Sequence, residues 1–149
     1  METTASLSMP MDKKETDLAI LFEMPLRQGK PGRSLQVAWN EQLPIIEGMS
    51  AKYFSILRTT ASGTRPGNHF HTITKEIYYV LKGGIKVILE HRETKKQERF
   101  FLSAKRSQGL YIRPGVAHVI VPSTESTTIL VVTDNPDMYK DEFKYEIAN

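Results

Sequence analysis

The stretch Gly63–Gly83, GTRPGNHFHTITKEIYYVLKG, decides the fold of this 149-residue chain. It places His69 and His71 two residues apart and Glu76 five residues further on. Side chains alternate along a strand, so two histidines at this spacing project to the same face. A short bend at residues 72–75 then folds the run that begins at Glu76 back toward the imidazoles. Two imidazoles and a carboxylate that converge in a β-framework predict a site that holds a divalent metal or moves protons.

The composition is that of one ordinary globular domain, with 40% hydrophobic residues, a formal net charge of +3 and no cysteine. Without cysteine, disulfides and thiolate chemistry are excluded, and any metal needs histidine and carboxylate ligands. The N-terminal stretch METTASLSMPMDKKETD lacks the apolar core of a signal peptide. We therefore expect a cytoplasmic protein.

Neither nucleic acid nor a membrane is expected as a partner. The densest basic run, RETKKQER at residues 92–99, is interrupted by acids and lies between two β-like runs, which indicates a solvated hairpin loop. The longest apolar run, Thr128–Thr133, is strand-sized and far short of the roughly 18 residues that a membrane span needs. The expected partner is a small-molecule substrate.

Short apolar runs separated by turn signals indicate an all-β protein, an antiparallel sandwich or barrel. Leu35, Val37 and Trp39 alternate after a Gly- and Pro-rich loop at residues 24–33, and this alternation predicts a half-buried strand. The turn signal at residues 82–84, Lys-Gly-Gly, predicts a hairpin between two β-rich runs. Besides the histidine stretch, we expect strands at residues 17–22, 34–39, 53–59, 76–81, 85–90, 100–102, 110–112, 116–121 and 128–133.

The domain organisation predicted from these runs is a flexible N-terminal tail over residues 1–16 and one β-barrel domain over residues 17–149. Near the end of the chain, Tyr139, Phe143 and Ile147 are four residues apart, a spacing typical of a helix. We expect a short C-terminal helix there that caps the domain or packs on a partner.

The motif Gly63-x5-His69-x-His71-x4-Glu76-x6-Gly83 resembles the first signature of the cupin superfamily at every position. A later Gly-x2-His, which ends at His118, resembles the core of the second cupin motif. The resemblance covers residues 33–135 and implies a single jelly-roll β-barrel of the RmlC-like type, commonly a homodimer.

In cupins, residues that match His69, His71, Glu76 and His118 often ligate one metal in the mouth of the barrel. The resemblance therefore implies a divalent transition metal. Imidazole and carboxylate ligands suit Zn, Fe, Mn, Ni or Cu and leave coordination positions open for substrate. The alternative is a metal-free site in which Glu76 orients a histidine.

A narrower resemblance lies in the order RSLQVAWNEQLPI, TRPGNHFH, LYIRPGVAH and TILVVTDNPDMYKDEF. It is similar to the cupins that isomerise nucleotide-linked keto-deoxysugars, the 3,4-ketoisomerases. That resemblance implies that His69 and His71 are the catalytic acid and base and that Arg65 faces the phosphates of the substrate. The sequence departs from those isomerases at three positions. Pro66 is an extra residue between Arg65 and the histidines, Thr72 stands where they carry a lysine, and Glu76 restores the metal-ligand carboxylate that they usually lack.

Three further side chains are predicted to contact the substrate: Tyr78, Arg58 and Arg113. Tyr78 shares strand parity with Glu76, although a role in the core fits it equally well. The two arginines flank the predicted mouth, and arginine suits bidentate recognition of phosphate. The fourth histidine, His91, begins the polar hairpin loop and is expected to be solvated.

The function that these observations favour is isomerisation or epimerisation of a nucleotide-linked keto-sugar. A metal-dependent oxygenase is the first alternative, because the same histidines and Glu76 suit iron with sites left for O₂. A non-catalytic cupin that binds a small molecule is the second. The fold does not choose among them, because cupins perform all three roles.

Overall fold

The computed structural model describes residues 12–42 and 44–147. Within them the regular structure consists of β-strands and one 3-10 helix, Met138–Asp141. The strand bounds are β1 Lys13–Glu15, β2 Ala19–Glu23, β3 Leu26–Lys30, β4 Arg33–Gln36, β5 Tyr53–Thr60, β6 Gly67–Phe70, β7 Glu76–Lys82, β8 Gly84–Glu90, β9 Gln97–Ser103, β10 Gln108–Ile112, β11 Ala117–Pro122, β12 Ser126–Thr133 and β13 Phe143–Lys144.

Two antiparallel sheets form the body of the domain. The six-stranded sheet has the order β1-β2-β10-β7-β12-β5, and the five-stranded sheet has the order β13-β6-β11-β8-β9. Strands β3 and β4 form a separate two-stranded hairpin. The two larger sheets pack face to face, which confirms the predicted all-β jelly roll.

The main core lies between the two sheets. Successive side chains of β7 point to opposite faces of its sheet, with Tyr78 and Val80 in the main core and Ile77 and Tyr79 in an outer cluster. The core is built from aliphatic side chains of both sheets together with two aromatic rings. Its members are Leu18, Ala19, Tyr78, Val80, Ile85, Val87, Leu89, Phe100, Leu102, Leu110, Ile112, Val116, Ile120, Ile129 and Val131.

Two smaller clusters cover the outer faces of the sheets. On the six-stranded sheet, Ile46 and Met49 from the long loop before β5 pack on Ile77 and Tyr79 of β7. On the five-stranded sheet, Ile147 from the end of the described chain packs on strands β8 and β11. The chain after β12 therefore crosses to the other sheet and covers its outer face.

A crossing between the sheets at residues 71–75 positions the candidate site. Strand β6 belongs to the five-stranded sheet and β7 to the six-stranded sheet. The bend therefore places the end of one strand opposite the start of the other, across the interior. Side chains that point inward from both strands meet at this end of the core.

The predicted hairpin at residues 82–84 is a second crossing. Strands β7 and β8 lie in different sheets, and β8 pairs with β9 and β11. Gly83 has a φ of +75° and makes the turn. The turn prediction was right and the pairing was wrong, because a glycine turn between two β-rich runs serves a hairpin and a crossing between sheets equally well.

One strand prediction and one loop prediction near the N-terminus need correction. The strand expected at residues 34–39 ends at Gln36, and Leu35 is 55% exposed. The segment at residues 24–33, expected to be a loop, contains β3 and pairs with β4. Apolar alternation misled here because the hairpin stands apart from both larger sheets and buries little of either face.

The tail and the C-terminal helix also differ from expectation. Residues 1–11 of the predicted flexible tail lie outside the described residues, whereas Lys13–Glu15 pair with β2 as an edge strand. The C-terminal segment forms one 3-10 turn and then β13, which pairs with β6. Tyr139 is 67% exposed and Ile147 only 6%, so the residues spaced by four do not share one helical face. Pairing with the open edge of β6 overrides the helical spacing.

Among the described residues, no helix has the length and apolar character needed to cross a membrane.

Candidate functional site

Strands β6 and β11 bring two histidines side by side. The strands pair with His69 opposite His118, and the register shifts just after His118. Gly67 permits this close approach, because its φ is +107° and a Cβ there would lie 2.6 Å from the carbonyl oxygen of His118. Any side chain at this position pushes the strands apart. Glycine at position 67 therefore sets the spacing of the two imidazoles.

His71 joins them, because the two-residue spacing returns its side chain to the face of His69. The ring centroids lie 5.0 Å apart for His69 and His71, 4.7 Å for His69 and His118, and 5.6 Å for His71 and His118. His71 and His118 are only 3% and 1% exposed. The side chain of His69 is 19% exposed and is the most accessible of the three.

Backbone carbonyls orient the two buried rings. Nδ1 of His71 lies 2.7 Å from the carbonyl oxygen of Asp141, and Nδ1 of His118 lies 3.1 Å from that of Val116. A carbonyl oxygen only accepts hydrogen bonds, so each Nδ1 carries a proton. Each ring therefore directs its Nε2 into the site.

Glu76 reaches the imidazoles from the opposite sheet. It is the first residue of β7 and is 3% exposed. Its Oε1 lies 3.2 Å from Nε2 of His118, and its Oε2 lies 3.8 Å from Nε2 of His71. The carboxylate thus lies between the two buried rings. The structure brings together all four residues that the sequence predicts as ligands.

His69 is held in its neutral form. Burial, together with the imidazoles of His118 and His71 and against the opposing effect of Glu76, lowers its pKa to about 4. The ring is therefore unprotonated at neutral pH and free to accept a proton. A neutral imidazole with one accessible edge has the form that a general base requires.

Glu76 and His118 form a buried, mutually stabilising pair. Burial by itself raises the pKa of Glu76, but His118 and the other two imidazoles outweigh burial and leave the pKa below its usual value. For His118, burial lowers the pKa, but Glu76 and the carbonyl of Val116 outweigh it and raise the pKa. Carboxylate and imidazolium each favour the charged form of the other. The raised pKa favours a proton on His118, close to the neutral ring of His69.

Tyr78 lies next to this pair. It is 4% exposed, and its ring centroid lies 6.1 Å from that of His118. Burial and the charge of Glu76 raise the pKa of its hydroxyl well above the ordinary value, so the phenol stays protonated. The ring also belongs to the main core. Its position is compatible with both predicted roles, cavity lining and core packing.

Two of the arginines predicted to contact the substrate, Arg65 and Arg58, precede the histidines in the chain. Arg65 is exposed on the loop between β5 and β6, four residues before His69. Arg58 lies on β5, where exposed positions alternate with partly buried ones. Its neighbour Leu57 packs on the main core, so Arg58 faces outward. The structure does not bring Arg58 to the imidazoles.

Arg113 is likewise directed away from the site. Its Nη2 donates to Oε2 of Glu15 at 2.7 Å, and its guanidinium lies 6.0 Å from the ring of Tyr111. Tyr111 belongs to the cluster on the outer face of the six-stranded sheet. Parity explains the result, because Leu110 and Ile112 fill the inner face and the odd positions point outward.

His91 is separate from the cluster. Its Nδ1 accepts hydrogen bonds from the backbone N–H groups of Glu93 and Thr94, both at 3.2 Å, in the loop between β8 and β9. It caps a turn, in agreement with its predicted place in the hairpin loop.

Two acidic residues near the site were missed from the sequence. Asp141 contacts His71 through its carbonyl oxygen, and Glu142 lies 3.9 Å from Nδ1 of His69. Both follow β12 and approach the histidines from a segment about 70 residues away in the chain. No local spacing links them to the His-x-His motif, so only the fold could reveal them.

The residues of the site fit a divalent transition metal. Nε2 of His71, Oε1 of Glu76 and Nε2 of His118 are buried, and none has a hydrogen-bond partner among the described residues. The ligand nitrogens of the three histidines lie within 4.8 Å of one another. Neutral imidazoles with one carboxylate are a donor set for first-row metals.

The jelly roll with the histidine cluster between its sheets is the fold of the RmlC-like cupins. A family model described as "FdtA: WxcM-like, C-terminal" matches residues 17–146, and the chain belongs to this family. A comparison with curated protein sequences found no match.

Solved structures with the same fold include two kinds of sugar-nucleotide enzyme. A dTDP-4-dehydrorhamnose 3,5-epimerase from Bacillus anthracis, with TDP and PPi bound, has a TM-score of 0.74 and 20% identity over 89% of this chain and 82% of that one. The 3,4-ketoisomerase QdtA from Thermoanaerobacterium thermosaccharolyticum, a double mutant with TDP, has a TM-score of 0.71 and 21% identity over 87% of this chain and 89% of that one. A 3,4-ketoisomerase from Helicobacter canadensis has a TM-score of 0.72 and 14% identity over 87% of this chain and 92% of that one. At these identities the likeness establishes the shared fold.

Proposed function

We propose that this protein is an isomerase or epimerase of a nucleotide-linked keto-sugar. The observation that carries the proposal is the position of a neutral, partly exposed His69 beside a buried Glu76–His118 pair, in which the carboxylate lies 3.2 Å from the imidazole and raises its pKa. His69 can accept a proton, and His118 beside it can supply a positive charge or a proton. Proton transfer next to a ketone needs this combination.

The reaction leaves no net oxidation. A base removes the proton from the carbon next to the ketone, and the electron pair moves to the carbonyl oxygen to give an enediolate. In a ketoisomerisation, the hydroxyl on that carbon loses its proton and becomes the new carbonyl, while the former carbonyl carbon and its oxygen each gain a proton. In an epimerisation, a proton returns to the opposite face of the same carbon and the original carbonyl forms again. We assign proton removal to His69, with His71 as its acid/base partner, and stabilisation of the enediolate to the protonated His118.

The substrate class is proposed from similar structures. The epimerase and ketoisomerase structures with the same fold are described with TDP, and one QdtA structure with TDP-4-keto-6-deoxyglucose. We propose a nucleotide-linked keto-deoxysugar for this chain, with Arg65 at the phosphates and Tyr78 in the wall of the sugar site. An Arg65→Ala variant is expected to raise KM more than it lowers kcat.

Solvent exchange tests the proposed reaction. The purified protein is incubated in deuterium oxide with TDP-4-keto-6-deoxyglucose and related 4-keto sugar nucleotides, and deuterium at the carbons flanking the ketone is followed by NMR. Exchange is expected with wild type and is expected to be lost in His69→Asn and His71→Asn. His91→Asn is the matched control, because it replaces a histidine outside the cluster with another turn-capping residue. A full panel with neither binding nor exchange contradicts the proposal.

As an alternative state of the same site, we propose that the four ligand-type residues bind a divalent transition metal, in which case His118 carries no proton on Nε2 and the metal takes the place of the protonated His118. When bound, a metal supplies a Lewis acid for a developing enediolate or for a substrate oxygen. Elemental analysis of protein purified without chelators is expected to show about one metal per chain. Loss of that metal in Glu76→Gln and His118→Asn, with its retention in His91→Asn, is the expected pattern. Absence of metal even after reconstitution contradicts this part of the proposal.

The second candidate function is a metal-dependent oxygenase. It is favoured by one observation, the presence of Glu76 alongside three histidines as a complete donor set. Oxygen consumption by iron-loaded protein, in the absence of any sugar exchange, is the result that supports it.

We further propose that the protein is a homodimer. Strand β5 lies at an edge of the six-stranded sheet in the described part of the chain, and its outward side chains Phe54 and Ile56 are 54% and 47% exposed. An antiparallel edge strand is complementary to its own copy across a two-fold axis. The edge and its apolar side chains thus suit a second copy of this chain.

A further inference from the structure

Asp141 ends the 3-10 helix and directs a buried carboxylate at the turn that follows His71. It is 7% exposed. Its Oδ1 accepts hydrogen bonds from the backbone N–H of Thr72, at 2.9 Å, and from the Thr72 hydroxyl. Its Oδ2 accepts from the N–H groups of Ile73 and Thr74, both at 2.9 Å, and from the Thr74 hydroxyl at 2.8 Å. One side chain therefore binds three successive residues of the crossing between the sheets.

The main chain of Asp141 contacts His71, the residue that comes just before Thr72. Its carbonyl oxygen lies 2.7 Å from Nδ1 of His71. At the end of a helix the carbonyl groups lack partners within the helix, so this oxygen is free to accept. The carboxylate and the carbonyl of one residue thus hold His71 and the three residues after it.

This contact decides which nitrogen of His71 faces the site. With the proton on Nδ1, the neutral ring presents an unprotonated Nε2. That atom is buried, has no hydrogen-bond partner among the described residues and lies 3.8 Å from Oε2 of Glu76. In the other tautomer, Nε2 carries the proton and can neither accept a proton nor ligate a metal.

We propose that Asp141 is a positioning residue that fixes the ring orientation and tautomer of His71, so that Nε2 stays unprotonated in the site. The catalytic part of this role rests on the proposed function, because it requires His71 to take part in proton transfer. The tautomer of His71 does not depend on which substrate the protein binds.

The chain contains a matched control for a purely structural role. Asp134 binds the same turn from the end of β12, where its Oδ1 accepts from the N–H of Lys75 at 2.9 Å and its Oδ2 lies 3.6 Å from Nζ of the same lysine. No contact joins Asp134 to His71 among the described residues. A change at Asp134 therefore loosens the turn but leaves intact the carboxylate bonds that hold residue 141, and with it the carbonyl that contacts the ring.

The first experiment uses wild-type protein as purified. Nitrogen-15 NMR of the imidazoles at a pH where the rings are neutral reports the tautomer of each histidine, and His71→Asn assigns the His71 signals. The Nδ1–H form is expected for His71. The Nε2–H form, or an even mixture, overturns the proposal without any need for an Asp141 variant.

The second experiment compares Asp141→Ala and Asp141→Asn with Asp134→Asn, after thermal unfolding has shown which variants are folded. Both Asp141 variants are expected to give His71 as a mixture of tautomers and to lower kcat by about 10–100-fold, with little change in KM. Asp134→Asn is expected to keep the wild-type tautomer. A folded Asp141→Ala protein with an unchanged tautomer and unchanged kcat overturns the proposal.

Two readouts separate this proposal from the proposed function. If wild type exchanges no sugar proton, the isomerase proposal fails, while the tautomer measurement still decides the role of Asp141. If Asp141→Ala does not fold, Thr72→Val removes one hydroxyl donor to Oδ1. The wild-type tautomer together with that milder variant then provides the test.

Discussion

Glu76 lies between two imidazoles from the other sheet, and its charge controls the protonation of the cluster. Its charge raises the pKa of His118 and acts against the burial that lowers the pKa of His69. A buried carboxylate is costly unless it is paired, and here its partners are histidines in place of the usual arginine or lysine. The pair can therefore be switched by protons or satisfied by a metal, which a structural ion pair with arginine does not allow.

Replacing Glu76 by Gln removes the charge and keeps the shape. The pKa of His118 is expected to fall, because burial then acts without an opposing carboxylate. The free energy of unfolding is expected to drop by about 1–3 kcal/mol. An NMR titration of the imidazoles and a urea unfolding curve measure the two effects. Glu90→Gln is the control, because Glu90 binds Gln97 and Tyr145 outside the site. An unchanged His118 titration contradicts the pairing.

The depressed pKa of His69 predicts a dependence of stability on pH. The folded-state pKa is about 4, against an ordinary value of 6.5, so the folded protein favours the neutral ring. As the pH falls from 6.5 toward 4, the unfolded chain binds a proton at this ring and the folded protein does not, so the unfolding free energy decreases. The unfolding free energy of wild type is therefore expected to fall relative to that of His69→Asn between pH 7.5 and 4.5. Parallel curves show that the pKa of His69 is not depressed.

At the scale of the elements, the pairing of β6 with β11 sets the site. The two strands pair over few residues, and the register shifts beside His118. Asn68 also has a positive φ, of 57°, and its side chain accepts from the N–H of Ile147 at 3.1 Å. An irregular strand of four residues therefore carries His69 and is held on its other side by the C-terminal segment.

Gly67→Ala tests this element. The added Cβ meets the backbone of His118 at 2.6 Å in a conformation that only glycine adopts easily. The substitution is expected to cost at least about 2 kcal/mol of unfolding free energy and to reduce metal or substrate binding with it. Chemical denaturation is the measurement.

Gly29→Ala is the matched control for this glycine. Position 29 lies on β3, and the nearest atom to an added Cβ is a flexible leucine carbon at 3.5 Å. It is expected to change stability by less than about 1 kcal/mol. Equal effects of the two substitutions contradict the account given for Gly67.

At the scale of the whole molecule, the face of β5 bears on assembly. Ile56→Arg places a charge among the exposed apolar side chains of this edge and is expected to shift a dimer toward monomer in sedimentation velocity runs. Phe101→Arg, on an exposed aromatic residue of β9 in the other sheet, is the control. A wild-type chain that is monomeric at high micromolar concentration removes the basis of the dimer proposal.

Much of the site could be predicted from the sequence because its signals are local. The parity of His69 and His71, the turn after them and the glycines around them follow from strand geometry and turn chemistry. The sequence predicted Arg58 and Arg113 beside the site, whereas both side chains face outward in the structure. Proximity to the motif in sequence says nothing about which face of a sheet a side chain occupies. Asp141 left no local signal at all.

The sequence by itself determined an all-β chain with a His-x-His face, a carboxylate after a short bend and a later histidine, since strand period and turn residues are short-range properties. Only the tertiary structure decided that β7 and β8 belong to different sheets and that Glu76 meets His118 across the interior. It also decided that a residue 70 positions away orients His71. These outcomes depend on long-range strand pairing, and the same local pattern is compatible with more than one pairing until the hydrophobic core closes.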